Sequence, residues 1–138
     1  DKARFNNEER ILRFFAFYQS YQNYRGKLAA FLNSYMDENK NSDIAKIEWF
    51  KKLFITTLTI ANKLSRKFDS KNVAEAIMIG IAYNIGTLSS KDSETLNQMC
   101  EELLKQPMFM SEEIKEGLGS EDKVKGRIES AIKVFSRG

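Results

Sequence analysis

The sequence contains no histidine at all. That removes histidine acid–base catalysis, Cys–His nucleophilic pairs and imidazole-ligated metals from the repertoire of this chain. Its single cysteine, Cys100, has no partner for an internal disulfide, which fits a reducing cytoplasm as the expected location. One proline, Pro107, and seven glycines leave few chain breakers, and this scarcity favours long helices over a many-turned β architecture. No apolar run reaches the ~18 residues that a bilayer span needs, so no membrane partner is expected. Neither GxxxxGK[ST] nor GxGxxG occurs, so no phosphate-cradling loop is present and no cofactor is expected.

What remains is enough for a folded domain. Apolar residues make up 42% and charged residues 30% of the 138, a balance that folds rather than stays disordered. Residues 1–138 read as one domain, long enough to bury roughly two-thirds of its unfolded surface. The chain opens on Asp1 without an initiator methionine and is expected to be a piece of a larger protein. The net charge of +3 is modest but unevenly placed. Residues 1–69 carry 13 basic and 8 acidic groups, whereas residues 70–138 carry 9 and 11. A basic first half hints at an anionic partner.

The periodicity predicts an all-α bundle of five to seven helices. Asn6 and Glu9 have capping-box spacing and predict a helix opening near residue 7. From Ile11 to Tyr18 only Arg13 is not apolar or aromatic, so this helix should be buried nearly all round. "SYQNYRG" reads as a bend closed by Gly26. Leu28, Phe31, Leu32, Tyr35 and Met36 then form an amphipathic stripe. Ser42 is the expected N-cap of a long helix from about Asp43 to Lys67. Ile47, Phe50, Phe54, Leu58 and Ala61 should mark its inner face, and Lys46, Lys51 and Lys52 its wet side. A largely apolar helix over about 73–86 fits the centre of the bundle, with Gly80 as the point of close approach. Ser89 and Asp92 should cap a helix running to about Lys105, where Pro107 stops it. A short helical turn from Ser111 and a last helix from Glu121 to about Ser136 complete the chain.

Several residues have chemistry to weigh. Cys100 in "LNQMCEELL" reads as a small buried hydrophobe rather than a reactive thiol. Glu101–Glu102 and Glu112–Glu113 are adjacent, so on a helix each pair diverges by about 100° and reads as solvated surface. Glu75 is the only charge in "NVAEAIMIGIAYNIG", and with Asn72 it has the N-cap and N3 spacing that would fold it onto free helix amides. Arg13, inside an apolar helix, must find a carboxylate or carbonyls, and Glu75 and Glu48 are the candidates. Phe14, Phe15, Tyr18, Phe31 and Tyr35 lie on helical stripes and read as core. Tyr21 and Tyr24 sit in the bend beside Arg25, where they would either stack bases or pin two helices together.

The stretch "ERILRFFAFYQSYQNYRGKLAAFLNSYM" resembles a helical segment of bacterial ParB/sulfiredoxin-like proteins, a broad family that includes the GmrSD-type modification-dependent restriction enzymes. The resemblance runs through Glu9-x-x-Leu12-Arg13-Phe14-Phe15-Ala16, the tyrosine bend with its glycine, and Phe31-Leu32-Asn33. It continues in Phe68, Asn72, Glu75 and Ala76, and ends with Ser120 at a helix cap and Arg127-Ile128 within that helix. It spans about Arg4 to Phe135. Two family features are missing: the acidic-Gly-Gln-Gln-Arg loop tied to nucleotide hydrolysis or nicking, and the downstream His-containing nuclease motif. The resemblance therefore implies a non-catalytic helical accessory domain, with Arg13, Asn72, Glu75 and Arg127 as its structural motif. The partner it implies is the catalytic domain of the parent protein, a nucleotide-hydrolysing nuclease in that family. DNA is the second expected partner, through Arg4, Arg10, Tyr21, Tyr24, Arg25, Lys27, Lys51 and Lys52. With no base-reading motif, such contacts would be to phosphates. The alternative is a protein–protein interaction module with no nucleic-acid role, which an exposed apolar patch would support.

Overall fold

The computed structural model describes residues 2–68, 70–110 and 119–137, with side chains from residue 8 onward. Among these it is all helical: α1 (Lys2–Ser20), α2 (Leu28–Asn39), α3 (Ile44–Ala61), α4 (Lys71–Tyr83), α5 (Ile85–Leu88), α6 (Ser93–Leu104) and α7 (Glu121–Phe135). Two short 3-10 turns, Tyr21–Asn23 and Pro107–Phe109, link α1 to α2 and follow α6. The turn expected from Ser111 lies outside the described residues, as does the Glu112–Glu113 pair.

Helix α4 is the centre. It packs along α7, and α1, α3 and α5 also lie against it, while α2 rests on α1 and α6 on α7. Val73, Ala76, Ile77, Ile79, Gly80, Ile81 and Ala82 are all buried, so α4 is covered on nearly every side. A helix that is apolar all round has no wet face to offer and must sit inside. Gly80 sets the α4–α7 distance. A Cβ built there would lie 2.8 Å from both the carbonyl carbon and the Cβ of Ala131. Beside this contact Asn84 Nδ2 donates to the carbonyls of Gly80 (2.8 Å) and Ile132 (3.0 Å), fastening the end of α4 to α7.

Helix boundaries differ from the sequence expectation wherever tertiary contacts or a better cap intervene. Helix α1 begins by Lys2, and Asn6 lies within it, since no Gly or Pro interrupts the run. Asp43, not Ser42, caps α3, its carboxylate accepting from the Lys46 amide at 2.8 Å; the Ser42 hydroxyl instead donates to the Asn39 carbonyl. Asp92 likewise caps α6 by accepting from the Thr95 amide, and Ser89 closes α5. Helix α3 stops at Ala61 rather than Lys67 because the following segment is drawn onto α6. There the Ser65 amide donates to Asn97 Oδ1 (3.0 Å) and Arg66 pairs with Glu101 (2.9 Å). The bend before α2 closes through Gly26, whose φ of 89° belongs to the left-handed region open to glycine.

Gly80→Ala should therefore destabilise the protein by about 1–3 kcal/mol, since the colliding atoms include α7 backbone and cannot step aside. Gly86→Ala, where an added Cβ meets nothing within 4 Å, should be neutral or slightly stabilising. Urea unfolding of the two variants checks the contrast.

Candidate functional site

Two features of the fold stand apart from ordinary core packing: a buried charge cluster and an exposed apolar face. The cluster sits where α1, α4 and α7 meet. Arg13 on α1 donates from Nε to Glu75 Oε2 (2.7 Å) and from Nη2 to Glu75 Oε1 (3.1 Å), a forked pairing. The same Nη2 reaches Asn72 Oδ1 at 3.3 Å. Of the two carboxylates expected to receive Arg13, Glu75 is the one it finds; Glu48 is exposed and pairs with Lys51 at 3.5 Å. Arg127 of α7 is buried, and its guanidinium feels the charges of Glu75, Tyr24 and Arg13. Arg13, Asn72, Glu75 and Arg127 thus come together from three helices.

Glu75 does not fold back as an N3 cap. Ser70 is the N-cap, its hydroxyl accepting from the Val73 amide at 3.4 Å, which moves Asn72 and Glu75 inside the helix and frees Glu75 for Arg13. Burial pushes the Glu75 carboxyl up, against the opposing pull of Arg13 and Arg127. Burial also works against the charge of Arg13, but the hydrogen bonds and charge of Glu75, with Glu9 beyond, outweigh it and hold its pKa above the ordinary arginine value. The Arg127 value is lowered by burial, with Glu75 opposing. This is a brace in which one carboxylate takes the Arg13 fork and lies within the electrostatic reach of Arg127.

The bend completes the brace. Tyr24 is 2% exposed, its ring is edge-on to Phe17 and Phe31, and its hydroxyl donates to the Gly119 carbonyl just before α7. Tyr21 is half-buried, with its ring edge toward Tyr83 at 6.3 Å. Arg25 donates to the carbonyls of Gln22 (2.8 Å) and Tyr24 (3.1 Å) and lies 3.9 Å from Glu121. It shares with Lys27 the rim of a shallow groove of about 370 Å³ floored by Phe31 and Tyr35. Arg10 is exposed on α1 and Lys52 on α3, beside Lys51. The side chain of Arg4 lies outside the described residues. The eight residues expected at DNA are therefore distributed over α1, the bend and α3. Cys100 is buried and its thiol is pushed up to about 11 by burial, the environment of an inert core cysteine.

The apolar face is on α3. Its inward residues are Leu53, Thr57 and Ile60, with Phe50 and Phe54 half-buried against Phe15 and Phe14 of α1. Two residues assigned to the inner face from sequence, Ile47 and Leu58, stand outside it. At 100° per residue they fall about 20–40° from Phe54, on the flank of the core face, and with Ile44 and Ile55 they span an arc of about 80°. Ile44 is 79% exposed, Ile55 62%, Ile47 43% and Leu58 36%. Four aliphatic side chains in one line thus leave about two whole side chains' worth of apolar surface in water. Lys51 sits in the middle of that line, its side chain 65% exposed. Among the described residues no helix is long and apolar enough to cross a membrane, and no cluster of three metal-ligating side chains occurs.

No family model matches the chain, and neither does a curated protein or a solved structure.

If Glu75 holds two arginines, its loss should exceed the loss of either one. Glu75→Leu should cost about 3–5 kcal/mol, the scale for breaking a buried ionic cluster. Arg13→Met should cost less, because Arg127 still faces the carboxylate. Chemical denaturation of both variants gives the order, and equal costs would refute the shared brace.

Proposed function

We propose that this chain is a non-catalytic helical module that works by docking another protein segment on the outer face of α3. The observation that carries this reading is the row of exposed aliphatics Ile44, Ile47, Ile55 and Leu58 on a helix whose core face is already packed. Covering about two side chains' worth of apolar surface contributes on the order of 3–6 kcal/mol, enough to matter in association. Scattered exposed hydrophobics are ordinary, but two aliphatic pairs aligned on one face of a helix, either side of a lysine, are the pattern we read as an interaction surface. The setting implied by the resemblance to ParB-like restriction or phage-defence proteins is an accessory domain that braces a catalytic domain. A docking face on α3 suits that role and equally suits a free-standing interaction module.

The competing reading is DNA-phosphate contact by the basic half. It calls for lysines and arginines gathered on one surface. Lys51 and Lys52 belong to α3, whereas Arg25 and Lys27 belong to the bend and the start of α2.

The test is titration of a labelled, idealised amphipathic helical peptide with a leucine stripe into the chain, followed by fluorescence anisotropy. Saturable binding is expected. Ile55→Ser should weaken it about tenfold, from the 1–2 kcal/mol of burial that this side chain offers, without lowering the melting temperature. No binding by the peptide, together with low-salt binding to unrelated duplexes that the Arg25, Lys27, Lys51 and Lys52 to Gln variant abolishes, would replace this reading with the DNA one.

A further inference from the structure

The α3 face has an internal arrangement that constrains what can cover it. Ile44, Lys51 and Leu58 are spaced by seven residues, and Ile47 and Ile55 flank Lys51 at four residues on either side. The row is therefore symmetric about Lys51 in sequence, spanning about 21 Å of helix from Ile44 to Leu58. A lysine at the central core-type position of an otherwise apolar helical seam is a device that selects register and partner at some cost in stability. Here its charge is only lightly occupied: Glu48, one turn away, lies at 3.5 Å, and both side chains are 65% exposed. Lys52 stands next to it, so the outer middle of α3 carries an excess of positive charge.

That symmetry counts against a second copy of this chain as the occupant. Antiparallel pairing of two α3 helices would set Ile44 on Leu58 and Ile47 on Ile55, but Lys51 on Lys51. Parallel pairing in register also sets Lys51 on Lys51. Like charges facing each other at the middle of a seam being dried are repulsive in either orientation. A helix carrying a carboxylate at the facing position meets the same apolar row and neutralises the lysine as water leaves.

We infer that the face of α3 is built for an acidic amphipathic helix: a partner whose apolar stripe is interrupted at its centre by a Glu or Asp that meets Lys51. This rests on the docking reading of α3 given above. It adds the partner's chemistry and removes self-association.

Three peptides sharing one apolar stripe and differing only at the central position, as Glu, Gln or Lys, test the inference against the intact chain. The Glu peptide should bind about tenfold tighter than the Lys peptide, with Gln between, and the gap should narrow as salt rises. Lys51→Glu should invert the order and Lys51→Gln should flatten it; both variants keep the fold because the side chain is mostly in water, and circular dichroism verifies this. Equal binding of all three peptides would leave the docking face standing and overturn its charge selection. Binding of none would remove the docking reading itself. A dimer of the unmodified chain in sedimentation that Ile55→Ser dissociates would give the face to a second copy, and Ile55-dependent binding to phosphatidylserine vesicles in preference to the Glu peptide would give it to a membrane surface. Either result overturns the inference.

Discussion

One carboxylate ties the central helix to α1 and sits within the electrostatic reach of an arginine on α7. Glu75 on α4 takes both nitrogens of the Arg13 fork from α1 and faces Arg127 from α7. A buried ion pair is seldom a net source of stability, because desolvating the charges costs about what their attraction returns. What it contributes is geometry. A helix buried on nearly every side can slide or rotate among apolar neighbours at little cost. A forked hydrogen bond between two named positions cannot be kept through such a slip. The Gly80–Ala131 contact works in the same sense, since only one rotation of α4 puts its one side-chain-free position against α7. Polar brace and steric notch act on the same central helix, one toward α1 and the other toward α7.

The aromatic-rich bend then follows from the brace rather than standing apart from it. Phe17, Tyr24 and Phe31 meet at ring separations of 4.7–5.3 Å, which ties the end of α1, the bend and α2 into one unit. Arg13 lies 5.9 Å from the centre of the Phe17 ring, so the same guanidinium that holds Glu75 also rests on this aromatic group. The Tyr24 hydroxyl on the Gly119 carbonyl carries the connection to the start of α7. A tyrosine is well suited to this, being apolar along its ring and able to satisfy a loop carbonyl with its tip. Phosphate and base recognition need those groups to face water. At Tyr24 they face inward.

Much of this was legible in the sequence. The helical class, the bend, the central apolar helix and the role of Gly80 follow from periodicity and from the scarcity of breakers, both of which are local signals. Arg13 could be matched to a carboxylate because a lone charge in an apolar run must have one. What could not be read was which of several polar residues caps a helix when two or three stand together. Ser42 and Asp43 are both competent, and so are Ser70 and Asn72; the choice falls to whichever carbonyl or arginine competes for the side chain in the folded chain. The end of α3 was hidden for a related reason, because Asn97 and Glu101, over thirty residues away, pull Ser65 and Arg66 off the helical path. The α3 face was misjudged by helical phase. Its apolar residues cover more than half of the helix circumference, and periodicity alone cannot say which part of that arc meets the core and which meets water.

That breadth is itself informative about the chain. A domain of this size needs one apolar face per surface helix, and α3 satisfies the need with Leu53, Thr57, Ile60 and two phenylalanines. The outer isoleucines leave 43–79% of their surface in water and add little to that core. They also carry a standing cost in solubility that a lysine or glutamate at the same positions would avoid. One of the inward residues, Thr57, is polar, buried and back-bonded to the Leu53 carbonyl at 2.7 Å, while Ile55, two residues earlier, is in water. If stability of the isolated domain were the only demand on α3, the aliphatic would belong inside and the hydroxyl outside. The opposite arrangement makes sense when the outer face has work of its own. Lys51 in the centre of that face then serves two purposes. In the uncovered state it breaks the apolar row, and on the proposed docking reading it disfavours the closing of two copies on each other. On the same reading, it would favour a partner that adds a second carboxylate to that of Glu48.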